Sequence, residues 1–487
     1  MDVQILCNAI LFMLTLLVIN EVLTNYWMNN RYLKNYLNNT IITALIGIAA
    51  GLFLLFIDKS SLLQEYRQGF SQFFLIVLLP PILFESSINM EKALFFQNFG
   101  SIVMFAVIGT LIATFVTAFS LQLVGLLIQK LSLTSSYAFG SLISSTDPVA
   151  VLAIFKQLDA DKHIHILLYG ESILNDAISL LLYEISGRMW NQEVVGYGEA
   201  MKQFLTMFIV SIAIGIIIGV LCAYILKVKE EVSYETEHIE VSVTVIIPWV
   251  CYLISQAVGY SGIVSIVFCG IVMAKYALPN LSESGKELLN KFYHILSYNF
   301  ENLVFLFIGI GVVGYDLAWN EMGIVLAISS ILIVIVARFI NIKIVSFILN
   351  RYRHDNFIKP NHQKAMWFCG LRGAMAYALA LDAADTFKEE GEIILTMTVV
   401  IIALNIFVQG SALQYVLEKC DIQEKPKEIS SEINVKDFQS ENGIRIAHQK
   451  GWVHRMKDCL EKCDEKVFQE FLVKKRELTP VRQAESH

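Results

Sequence analysis

Charge is scarce in this chain. Only 17% of its 487 residues are Asp, Glu, Lys or Arg, against about 25% in an average soluble domain; 55% are hydrophobic and the mean hydropathy is +0.57. That balance excludes a soluble globular protein and describes an integral membrane protein of many spans, with the lipid bilayer as its surroundings. No basic stripe is offered to phosphate and the net charge is −7, so nucleic acid is not expected as a partner. Metal-ligand sets are missing too. Cys7, Cys222, Cys251, Cys269 and Cys369 fall in apolar segments, where Cys packs as a small residue, and Cys459 and Cys463 near the C-terminus have no His pair to complete a zinc site. There is no HExxH helix, and Glu171-Ser172 is not a hydrolase elbow. An enzyme is therefore not expected, and no cofactor is implied. The start, Met1-Asp2-Val3, lacks the basic region of a secretory leader, so the first apolar segment is expected to stay as a helix.

What the chain does have is apolar sequence in lengths near the ~20 residues that cross a bilayer. Such segments run over 4–23, 40–57, 71–88, 99–128, 135–155, 164–188, 203–226, 240–258, 261–276, 291–315, 322–349, 361–383 and 392–418. An all-α polytopic fold of about thirteen transmembrane helices is expected, occupying 1–418, with a separate tail at 419–487. Lys and Arg divide fourteen to six between alternate loops. The positive-inside rule then sets the N-terminus outside or lumenal and the C-terminus in the cytosol.

Into this apolar background are set a few carboxylates, each costing roughly 2.5–3.5 kcal/mol at the centre of a membrane helix. In the fifth segment Ser145-Thr146-Asp147 ends in Pro148, which lacks an N–H and disfavours helix in the residue before it. A broken helix inside a membrane is tolerated where it lines protein interior or a watery cavity, and transporters use such breaks to aim helix ends at ions. In the sixth segment a rotation of about 100° per residue puts Ser172 and Asp176 on one face, with Asn175 and Ser179 beside them. Asp176 can hold a proton or a cation but not comfortably both, the minimum chemistry for exchange. Glu171 stands about 140° round the helix from Asp176 and needs its own partner. Arg338, the one cation among the apolar residues 331–340, is the expected one, in a structural pair.

The twelfth segment carries Gly370-Leu371-Arg372-Gly373, whose glycines weaken a helix and let backbones approach closely. With the Asp147-Pro148 break, each half of the chain then has one interrupted helix. That pattern points to inverted repeats that cross at the site, where Arg372 would fix the dipoles. Glu301 is expected in the same cavity, and Glu85, just after Leu79-Pro80-Pro81, near a helix end. A cation channel or proton-gated protein is the alternative use of these carboxylates, but channels favour symmetric filters or rings.

These segments resemble the eukaryotic-type sodium/proton exchangers of the cation/proton antiporter superfamily. The resemblance rests on FLIVLLPPILF at 74–84, STDPVAVLAIF at 145–155, GESILNDA at 170–177, FENLVFLFIG at 300–309 and GLRGAMAYAL at 370–379, in order and spacing. It implies the antiporter fold, Asp176 as the ion-binding carboxylate with Asn175 beside it, and Thr146 and Asp147 lining the crossing. It also implies Na+ and/or K+ as the cargo exchanged for H+, with no resident cofactor. A homodimer is implied in which a core, around 135–188 and 322–383, moves as an elevator against the remaining helices. Asn rather than Asp before Asp176 is the pattern that goes with one-for-one, electroneutral exchange. Gly370 to Ala376 and Asn98 to Ser101 look nearer the endosomal and Golgi branch, so an organellar membrane is favoured over the plasma membrane. In the tail, Trp452, Met456, Leu460, Cys463, Val467 and Phe471 are spaced as an amphipathic helix over about 451–476, fit to rest on lipid, on the protein's own core, on a dimer mate or on a cytosolic regulator.

Overall fold

The computed structural model describes residues 3–28, 39–56, 70–128, 131–147, 161–194, 196–228, 236–315, 317–352 and 357–420, with isolated positions at 151, 155, 158, 472 and 473. Among the described residues there is no strand. The first half of the chain forms α1 (Val3–Met28), α2 (Asn39–Phe56), α3 (Phe70–Ile88), α4 (Lys92–Gly125), α5 (Leu133–Ser144) and α6 (Lys162–Trp190). There follow α7 (Tyr197–Val228), α8 (Thr236–Ala257), α9 (Gly262–Asn280) and α10 (Glu283–Gly314). The last stretch gives α11 (Glu321–Tyr352), α12 (Pro360–Phe368), α13 (Ala374–Thr386) and α14 (Lys388–Lys419).

Ten of the described helices are long and apolar enough to cross a membrane, against the thirteen expected. The difference has a physical origin. The fifth and twelfth segments are interrupted, and α1, 26 residues over Val3–Met28, is outside the ten although its length suffices to span. Helix starts also lie earlier than hydropathy suggested. α10 begins at Glu283 rather than near 291, because its first turns carry Lys286–Glu283 and Lys291–Glu287 pairs that hold a helix in water. α4 and α7 likewise begin several residues before the apolar stretches.

The helices sort into two groups. In one, α4, α5 and α6 pack with α11, α12, α13 and α14, three consecutive segments from each half of the chain. In the other, α2, α3, α7, α8, α9 and α10 pack together, with α1 against α2 and α10. The second group is sealed by small residues. A Cβ on Gly47 of α2 would collide with the Leu306 carbonyl of α10, and one on Gly309 of α10 with the Ala44 carbonyl, so these two backbones touch. Gly215 of α7 lies equally close to the Ser265 carbonyl of α9, where Ser265 Oγ donates to the Ser211 carbonyl at 2.9 Å. Large apolar side chains such as Phe119, Ile217 and Phe347 point outward, as befits a lipid-facing surface.

Both expected interruptions are present. α5 stops at Ser144 and the chain leaves the helix with Ser145 extended at φ −63°, ψ 141°. Pro148 itself lies outside the described residues. On the other side α12 stops at Phe368, residues 369–373 are non-helical, and α13 starts at Ala374. The expected tail helix over 451–476 also lies outside the described residues, apart from Leu472 and Val473. Leu472 is buried, and its carbonyl accepts from Asn280 Nδ2 at 2.8 Å.

Candidate functional site

The two interruptions meet. The Asp147 N–H donates to the Leu371 carbonyl at 2.9 Å, so the breaks are joined backbone to backbone. The last turn of α5 leaves carbonyls without intrahelical partners. Arg372 supplies them, Nη1 donating to the Ser144 carbonyl at 3.0 Å and the Ser145 carbonyl at 2.9 Å. A guanidinium at a helix C-terminus also suits the negative end of the helix dipole. Gly373 is required here, since a Cβ on it would run into the Asp147 carboxylate.

α6 passes beside this crossing with its polar face toward it. Asn175 Nδ2 donates to Thr146 Oγ1 at 2.7 Å, the Thr146 N–H donates to Asn175 Oδ1 at 3.4 Å, and Thr146 Oγ1 and Ser172 Oγ are 3.0 Å apart. Thr146, Ser172 and Asn175 are buried. One turn on, Ser179 Oγ donates to the Ser141 carbonyl at 2.7 Å. Asn175 thereby holds the unwound strand with both ends of its amide.

Asp176 faces a cavity of about 60 Å³ shared with Thr146, Asp147, Ser172 and Glu301, room for a cation with a small number of waters. Its Oδ1 is buried with no hydrogen-bond partner. The cavity lies between the two helix groups. Phe74, Leu83 and Ser86 of α3 and Glu301 and Phe305 of α10 form one wall, and the crossing with α6 forms the other. Glu301 accepts from Ser297 Oγ at 3.4 Å. Among the described residues no three Asp, Glu, His or Cys side chains come close enough to hold one metal ion together, so Asp176, Asp147 and Glu301 line one space without forming a ligand cage.

Glu171 turns away from this cavity and meets Arg338. The contact is bidentate, Nη1 to Oε1 and Nη2 to Oε2, the latter at 3.1 Å, and Nη2 also donates to the Met366 carbonyl at 3.3 Å. Glu85 does not reach the cavity. It accepts from Asn89 Nδ2 at 3.1 Å at the end of α3, with His294 Nδ1 3.9 Å away.

Sequence reasoning missed the continuation of the α6 stripe. Tyr183 lies seven residues beyond Asp176, two turns along on the same face, and its hydroxyl donates to Asp382 Oδ2 of α13 at 2.7 Å. The spacing was a usable signal. Also missed were the polar ties between the helix groups: Tyr169 OH donates to the Ser86 carbonyl at 2.7 Å and Tyr377 OH to the Phe307 carbonyl at 3.0 Å.

The family described as sodium/hydrogen exchanger, transmembrane, matches residues 22–419. The chain is 34% identical to sodium/hydrogen exchanger 5 of Arabidopsis thaliana over 85% of its length and 80% of that protein. It is also 34% identical to sodium/hydrogen exchanger 8 of Homo sapiens, over 85% of its length and 72% of that protein. Among solved structures, the sodium proton antiporter MjNhaP1 from Methanocaldococcus jannaschii superposes with a TM-score of 0.68 at 17% identity, covering 85% of this chain and 99% of that one. That likeness concerns the fold.

Proposed function

This chain belongs to the sodium/hydrogen exchanger family, and from that premise we propose that it exchanges Na+ and/or K+ for H+, one for one, with Asp176 carrying each in turn. As a member it is an integral membrane protein of many spans and a secondary transporter, not an enzyme. The observation that carries the proposal is the buried, unpartnered Oδ1 of Asp176 on the wall of a small polar cavity at the crossing of two broken helices. An acceptor so placed favours a proton or a desolvated cation, and one carboxylate takes one at a time.

Around Asp176 the roles divide by geometry. Asn175 and Ser172 hold Thr146 and the unwound strand, so that hydroxyl and carbonyl oxygens can face a cation. Asp147 and Glu301 keep the cavity attractive to positive charge. Arg372 and the Pro148 break maintain the open helix ends, and Glu85 stands at the cavity's approach rather than in it. Glu171 and Arg338 act as scaffold. Exchange requires the cavity to face each side of the membrane in turn. The apolar wall formed by Phe74, Leu83 and Phe305 supports an elevator-type movement of the α4–α6 and α11–α14 group against the other, because sliding there breaks few hydrogen bonds. A homodimer built on the second group, an endosomal or Golgi membrane, and a tail that engages the core or a cytosolic regulator complete the proposal.

The test is proton release from sealed proteoliposomes on adding Na+, K+ or Li+ in turn. The wild type is expected to respond to Na+ or K+, and Asp176→Asn to lose the response while staying folded. Two protons per cation would couple transport to about 2.3 kcal/mol per 100 mV, whereas one-for-one exchange ignores clamped voltage. Undiminished exchange by Asp176→Asn would remove Asp176 from its role, and a voltage-dependent rate would remove electroneutrality.

A further inference from the structure

The outer flank of the first helix group holds a second cavity, distinct from the one around Asp176. It is a cleft of about 420 Å³ between α11 and α14, walled by Ile331, Val334, Ile335, Leu404 and Val408, a size within the roughly 300–1,000 Å³ of small-molecule sites. Ile335, Leu404 and Val408 are exposed at its mouth, which therefore opens toward lipid. Its floor is polar, with Gln409 beside the two arginines and Asn405. Arg338, Arg372 and Asn405 line the cleft, and Arg338 Nε, Arg372 Nε and Asn405 Nδ2 are each buried without a hydrogen-bond partner. All three atoms are donors, and buried donors without acceptors are costly. Nor are they loose. Arg338 is held by Glu171 and the Met366 carbonyl, and Arg372 by the Ser144 and Ser145 carbonyls. Asn405 sits at the start of a wide turn, Asn405–Gln409, closed by the Gly410 N–H bonding the Asn405 carbonyl five residues back, a distortion frequent at functional sites.

We propose that this cleft binds a single-chain amphiphile with a carboxylate head, of the long-chain fatty acid class. The carboxylate seats against the floor formed by Arg338, Arg372 and Asn405, whose unpartnered N–H groups turn to it as it enters, and the chain lies along the apolar wall. An anionic head suits a floor lined by two guanidiniums, and Arg372, which bonds neutral carbonyls, brings positive charge to it. Depth argues against a phospholipid. At 1.5 Å per residue Arg338 stands about 26 Å of helix from the start of α11 and about 21 Å from its end. A phosphate headgroup sits outside the ~30 Å hydrocarbon core, whereas a single-chain acid can enter that core uncharged.

The test uses the full chain in phosphatidylcholine nanodiscs with a diazirine-bearing palmitic acid, the labelled peptides being mapped by mass spectrometry. Label is expected in residues 331–338 and 404–412, competed by palmitate and about tenfold weaker with the methyl ester of the same probe, equivalent to about 1.4 kcal/mol. Ala412→Trp, which fills the cleft, and Asn405→Leu, which removes one donor with little change of volume, should each reduce that label while proton release on adding cation persists. Equal labelling by the methyl ester, label spread evenly over all outward-facing helices, or label indifferent to Asn405→Leu would each overturn the proposal. Competition by phosphatidylglycerol as strong as by palmitate would overturn it in favour of a phospholipid headgroup.

Discussion

Replacing Arg338 by Ala tests the scaffold most directly. Arg338 is 5% exposed and Glu171 2%, so neither charge has water to fall back on. The guanidinium gives two bonds to the carboxylate and a third to the Met366 carbonyl, the last residues but two of α12. Removing it leaves a bare carboxylate inside α6 and an unpaired carbonyl beside the second break, and breaking a buried pair in this way costs about 3–5 kcal/mol. Glu171→Gln keeps the shape and one acceptor but leaves the Arg338 charge buried without a counter-ion, so its expected cost lies at the lower end of the same range, about 3 kcal/mol. The double change Glu171→Leu with Arg338→Met removes both charges and should recover much of the loss, because apolar replacement of a whole buried pair is often neutral. The expected coupling is roughly 2–3 kcal/mol, at the upper end for residues in contact. Unfolding in mixed micelles of rising SDS fraction gives the free energies, and proteoliposome exchange gives the activity. An Arg338→Ala protein within about 0.5 kcal/mol of wild type, or effects that simply add in the double variant, would refute the reasoning.

Three further outcomes follow from the packing. Gly373→Ala drives a methyl group into the Asp147 carboxylate and should lower exchange about tenfold or more by moving the crossing, measured as initial proton flux; unchanged flux would mean that the crossing is not needed in this form. Gly309→Val forces α10 off α2 and should cost about 1–3 kcal/mol or more, read in the same micelle titration, with full stability contradicting the backbone contact. Tyr377→Phe removes the tie to the Phe307 carbonyl, worth about 0.5–1.5 kcal/mol. If that tie breaks during exchange, turnover rises severalfold in the variant, and a slower variant would count against a sliding interface.

Much of this architecture was legible because lipid imposes long apolar runs and makes every buried charge conspicuous. Glu171, Asp176, Glu301, Arg338 and Arg372 stood out from apolar neighbours, and helical rotation alone separated Glu171 from Asp176. The interruption near Asp147 was visible through Pro148. The gap between α12 and α13 was harder, since hydropathy reads 361–383 as one segment whether or not its helix is continuous. Water-exposed overhangs such as the first turns of α10 were invisible to hydropathy, being charged. The Tyr183–Asp382 and Tyr377–Phe307 bonds join residues far apart in sequence. Glu171 and Arg338 could be paired from the sequence because opposite charges in an apolar setting have few partners, whereas a tyrosine hydroxyl has many acceptors open to it and the carbonyl partners of Arg372 have no side chain to read.

The glycine contact between α2 and α10 bears on rate as well as on packing. Two backbones that touch at Gly47 and Gly309 have no soft side chains between them to absorb a shift, so this pair acts as a keyed joint. In the elevator-type movement proposed above, displacement would be confined to the facing wall of the cavity, where bulky rings meet and two tyrosine hydroxyls are the identified polar ties. The barrier to exchange should therefore be set by ring rearrangement and local lipid stiffness. It should steepen in thicker, more ordered bilayers, even though the ion chemistry proposed for Asp176 would be the same in every lipid.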